Sequence, residues 1–149
     1  MHFPRRYFVL LPLTATLSLL TVSCSESKVS QCNKIIKVAN QAVTEAKSIT
    51  KGGQASDSKA MLKAADAMEK ASKDMEAIKV NDQKLQDYQT RFVTMYRDTS
   101  KATRDFVAAF QKKDRSAAEA ALTNLQKATT PEKQLVEGIN VYCTDKKSP

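Results

Sequence analysis

After residue 28, apolar residues recur at spacings of three and four along most of the chain, the period of helices that bury one face. Val29, Cys32, Ile36, Ala39, Val43 and Ala46 form the first stripe, widened by Ile35, Ala42 and Ile49. Lys51-Gly52-Gly53 predicts its end, because glycine accepts the left-handed conformation that often follows a helix C-terminus. Ser56 or Asp57 is placed to cap a second helix, in which Met61, Ala64, Met68, Ala71, Met75 and Ile78 repeat the spacing. Val80-Asn81-Asp82 reads as a tight turn that supplies the next N-cap.

The third segment, Asp82 to Lys113, is the longest. Leu85, Tyr88, Phe92, Met95, Thr99, Ala102, Phe106 and Ala109 line one face, with Tyr96, Thr103 and Phe110 beside them. Asp114 caps a fourth, alanine-rich helix through Ala117, Ala118, Ala121, Leu122 and Leu125. Pro131 should break or kink it, with Thr130 and Pro131 serving as N-cap and first turn of a restart toward Leu135, Val136, Ile139, Tyr142 and Cys143. Two-residue alternation is nowhere sustained, so no strand is expected. Short connections make successive helices antiparallel neighbours, and the expected fold is an all-α, up-down-up-down four-helix bundle over residues 29–143, followed by a polar tail over 144–149.

The chain ahead of the bundle has a different pattern. Arg5 and Arg6 precede an apolar run from Tyr7 to Leu20, and Thr21-Val22-Ser23-Cys24 follows. The run is shorter than the roughly 20 residues of a spanning helix and contains Pro12, so residues 1–23 read as a cleaved export signal. Val22, Ser23 and Cys24 resemble the lipobox of bacterial lipoproteins, although Thr21 stands where that family usually has Leu, Val or Ile. The resemblance implies that Cys24 is acylated, becomes the new N-terminus and is tethered to the fold by residues 25–28. An ordinary signal-peptidase cut is the alternative, since Thr21 and Ser23 are small enough for it. In size, lipobox and helical pattern the chain resembles the small helical lipoproteins of cyanobacteria, some of which are lumenal accessory subunits of photosystem II. No partner-binding motif of that group is matched.

Residues 24–149 number 126, one domain's worth. With Arg5 and Arg6 in the leader, they carry 22 Lys+Arg against 16 Asp+Glu, or +6. That excess favours an acidic protein surface or an anionic membrane, while the interspersed acids and the export signal argue against nucleic acid. Setting Cys24 aside leaves Cys32 and Cys143, which an up-down topology brings to one end of the bundle. In an oxidising compartment they are expected to pair, two unpaired thiols being the other possibility. The only histidine is His2, so the exported part lacks an imidazole base, a Ser-His or Cys-His pair and any histidine metal ligand. No metal, cofactor or catalytic site is expected.

The methionine stripe and the aromatic face read as core, and Thr99 and Thr103 as hydroxyls bonded one turn back or as a small polar pocket. Asp66/Lys70, Glu69/Lys73 and Asp87/Arg91 are spaced as i,i+4 ion pairs. One feature points outward. Helices two and three, aligned at the Val80 to Asp82 turn, rise about 34 and 48 Å, so the far ends of helices three and four should overhang. That tip would hold Phe106, Val107 and Phe110 against the Ala117 to Leu122 face, ringed by Lys112, Lys113 and Arg115, with Lys47, Lys51 and Lys59 below, unless the Gly52 to Ser56 loop covers it. The expectation is a non-enzymatic, lipid-anchored binding or accessory subunit facing periplasm, lumen or exterior, which meets an acidic partner through the tip. A carrier of a small apolar ligand or pigment in a loosened core is the alternative, to be recognised by spare volume between the methionine-rich and aromatic helices.

Overall fold

A computed structural model of the chain describes residues 26–51 and 57–145. The order is α1 (Lys28–Ile49), α2 (Ser58–Glu76), α3 (Gln83–Gln111), α4 (Arg115–Thr129) and α5 (Glu132–Thr144), with no strand among the described residues. Side chains start the first four helices: Ser27, Asp57, Asp82 and Asp114 each accept the backbone N–H three residues on. The fold therefore begins slightly before residue 29. Ser27 caps α1, and Glu26, expected in the tether, takes bonds from Ser30 and Lys34 while its carbonyl accepts from Gln31.

α4 and α5 form one rod. Thr130 (φ −52°, ψ −39°) and Pro131 (φ −72°, ψ −14°) both keep helical dihedrals, and the rod bends only mildly. The expected restart cap does not form, because the Thr130 hydroxyl donates back to the Gln126 carbonyl at 2.8 Å and α5 has no side-chain cap. Counting that rod as the fourth helix, the architecture is an up-down-up-down four-helix bundle.

The core is unevenly distributed. Ile35, Met75, Leu85, Phe92 and Leu135 are the largest fully buried side chains, all in the half of the bundle that holds the α2–α3 turn and the end of α5. In the other half the buried residues are small: Ala65, Ala67, Ala102, Ala109 and Ala121, with Val107 the largest. α3 packs extensively on both α2 and α4, whereas α1 packs mainly on α2 and has no extended contact with α4. The bundle is a closed ring at one end and a three-helix layer at the other.

Candidate functional site

The closed, proximal end is built by polar side chains as well as by the core. Cys32 and Cys143 are joined by a disulfide with their Cα atoms 5.9 Å apart, tying the start of α1 to the end of α5. Gln31 is 4 % exposed. Its amide donates to the Glu26 carbonyl at 2.7 Å, and its carbonyl accepts the Asn81 and Asp82 N–H groups at 2.7 and 3.2 Å. Gln89 donates to the Met75 and Ile78 carbonyls, satisfying the end of α2. Asp82 accepts from the Leu85 N–H and from the Tyr142 hydroxyl, both within 2.9 Å, and Lys28 lies over the Tyr142 ring at 4.4 Å. Burial pushes the Asp82 carboxyl up, but those hydrogen bonds with the Lys84 amide and the Lys28 charge outweigh it, and the net shift is below the ordinary 3.8.

The distal end differs. α2 rises about 28 Å and α3 about 44 Å from their common turn, so the expected overhang of roughly 15 Å is present. α1 ends sooner still: Thr50, just past its last turn, lines the same cavity as Thr99, and α3 continues about 18 Å beyond that level. Phe106 and Phe110, a heptad and three turns past Thr99, share its face. Their rings are stacked with centroids 6.3 Å apart, Phe106 half-buried and Phe110 66 % exposed. Across from them Leu122, a heptad before the cavity-lining Thr129, is 44 % exposed.

Val107 is not part of this surface. It is 2 % exposed, because it continues the Val93 and Ser100 heptad stripe that faces α2, where the Ser72 hydroxyl donates to the Val93 carbonyl. Lys112, Lys113 and Arg115 are all exposed. Arg115 is spoken for by Glu119 at 2.8 Å, while among the described residues Lys112 and Lys113 have no ion pair. Lys51 (φ 49°) and Lys113 (φ 58°) both adopt the left-handed conformation at helix ends, so the turn after α1 places a lysine where a glycine was expected. After α3 the Asp114 N–H bonds the Ala109 carbonyl and the Lys113 N–H bonds the Phe110 carbonyl, which is the Schellman pattern with lysine in the usual glycine position. Cys24 and the Gly52 to Ser56 loop lie outside the described residues.

Two further features flank these ends. Asp66 pairs with Arg104 of α3 at 2.7 Å and not with Lys70, which meets Asp74; Glu69 bonds both Lys73 and Arg104, and Asp87 meets Arg91 as spaced. Arg104 thus clamps α3 to α2, a role that periodicity does not reveal. The broad groove between α1 and α2, about 890 Å³, is open and mixed in polarity, lined by side chains such as Asn33, Gln41 and Lys70. Smaller and more apolar is a cavity of about 230 Å³ in mid-bundle, where Met68, Met95, Tyr96 and Thr99 face the ends of α1 and α4. Thr103 donates one turn back to the Thr99 carbonyl, as expected of a helical threonine.

Among the described residues no group of His, Cys, Asp and Glu side chains could hold a metal ion, and no helix is long and apolar enough to cross a membrane. No family model, characterised protein or solved structure matches this chain.

Proposed function

We propose that the chain is an exported, lipid-anchored, non-enzymatic binding subunit that stands on its proximal end and docks an acidic protein surface with its distal end. The asymmetry of the bundle carries this reading: one end is sealed by a disulfide and a hydrogen-bond network, the other presents an exposed phenylalanine beside two unpaired lysines. A disulfide of this kind suits an oxidising compartment, which agrees with export. Acylation at Cys24 would place the start of α1, four residues on, within about 14 Å of the membrane. The proximal end would then face the bilayer, where the exposed Val29 and Val141 lie, and the distal end would face away from it.

Docking at the distal end combines an apolar anchor with a basic rim, and the two contribute differently. Phe110 supplies area that gains by leaving water. Lys112 and Lys113 steer the approach of an acidic partner and are screened over about 10 Å at 0.1 M salt. The test is association of the acylated protein with its native membrane complex after reversing Lys112, Lys113 and Arg115 to glutamate. Association should weaken by tenfold or more and lose most of its salt dependence. Unchanged association in that variant and in Phe110→Ser, with helicity intact, refutes the reading.

A further inference from the structure

The mid-bundle cavity lies where α1 stops and the α4–α5 rod passes its Pro131 bend, between the methionine-bearing face of α2 and the aromatic face of α3. Two of its polar groups stand out. Tyr96 is 3 % exposed, and its hydroxyl makes no hydrogen bond with any described residue. No sealed polar atom among the described residues lacks a partner, so this hydroxyl opens on space, and the space Tyr96 lines is the cavity. Glu132 also lines it and forms no ion pair among the described residues. The phenol oxygen and the Glu132 carboxylate can both accept an N–H or O–H, so together they mark a place for a donor. One N–H placed between them can donate to either.

We infer that this cavity is a binding site for a small, mainly apolar ring compound with one hydrogen-bonding group, the ring lying against Met68 and Met95 and the polar group between Tyr96 and Glu132. Size sets the class. A cavity of about 150 Å³ holds benzene, and drug-sized ligands need roughly 300–1,000 Å³. At about 230 Å³ the site takes a substituted single ring or a fused bicycle, not an extended pigment. Methionines suit the role, because a thioether adapts to the ring it touches and packs well on aromatic edges. The site is separate from the distal docking end and stands or falls independently of it.

Indole is a suitable probe, since the chain contains no tryptophan and indole emission reports the ligand alone. Titrating full-length protein into indole should give a saturable blue shift, with indole bound at least fivefold more tightly than indene, which has the same shape but no N–H. Tyr96→Phe and Glu132→Leu should each reduce that preference to less than twofold. Ala46→Phe, which fills the cavity from α1, should abolish binding, and Thr99→Leu fills it from α3 should the first variant not fold. No saturable shift up to the solubility of indole, no preference over indene, or binding that survives a folded cavity-filling variant would each overturn the assignment.

Discussion

The two ends of this bundle are finished in opposite ways, one closed by all four rods and the other left to three. At the proximal end every special residue lowers the free energy of the fold: a disulfide joins α1 to α5, Gln31 bonds the α2–α3 turn, and Asp82 caps α3 while holding Tyr142. At the distal end the special residues work against it: two lysines take the left-handed conformation, Phe110 stands in water, and α1 ends well short of α3. Strain and exposed apolar area persist in a fold only where the rest of the structure imposes them, and they gather where proteins meet other molecules. Stabilising contacts thus gather at one end, and the surface proposed for recognition lies at the other.

Substitutions at the two ends should accordingly differ in sign. The largest effect is expected from replacing Cys32 and Cys143 by alanine. The bridge spans 111 residues of sequence, and its loss should cost up to about 4–5 kcal/mol on the chain-entropy account, measured by denaturant unfolding. Next comes Gly138→Ala: a Cβ there would lie 2.7 Å from the Tyr88 hydroxyl oxygen. Forcing that ring aside should cost about 1–3 kcal/mol, and a Tyr88→Phe background should recover most of it in a double-mutant cycle.

Asp82→Ala should cost about 1–2 kcal/mol, since it removes the α3 cap and the partner of Tyr142. The same carboxylate sets a pH dependence. Its pKa is depressed in the folded state, so its contribution is complete above the unfolded value near 3.8 and is lost as pH falls through the lower folded value. Acid unfolding of the wild type should therefore steepen below about pH 4, and Asp82→Asn, which keeps a capping oxygen, should flatten that part of the curve. The smallest effect has the opposite sign. Lys113→Gly relieves the left-handed lysine after α3 and should stabilise by about 1 kcal/mol in the same unfolding measurement.

The course of the chain was legible because nearly all of its burial is periodic. Apolar spacings and the Asp57, Asp82 and Asp114 caps predicted each helix within a few residues, and the up-down order alone brought Cys32 and Cys143 together. The distal overhang followed from helix lengths. What periodicity could not supply was direction within a face and partners between helices. Val107 stands one residue from Phe106 in sequence but about 100° round the helix, and the Val93 and Ser100 stripe to which it belongs was the signal that it turns inward. Gln31 and Arg104 read as ordinary polar residues, because what they bond lies 50 and 38 residues away in sequence. Pro131 misled in degree: at the junction of α4 and α5 its ring fits with little bending, and the cap expected from Thr130 was not needed.

Site-specific photocrosslinking compares the two ends in one experiment. A photoreactive phenylalanine analogue replaces Phe110 at the distal end or Val141 at the proximal end, positions of similar exposure at 66 % and 70 %. The acylated protein is then irradiated in its native membranes. Recognition by the distal end predicts a discrete protein adduct from position 110, diminished by reversing Lys112 and Lys113, and no protein adduct from position 141. A protein adduct from 141 with none from 110 would contradict the account, as would the absence of any from either end.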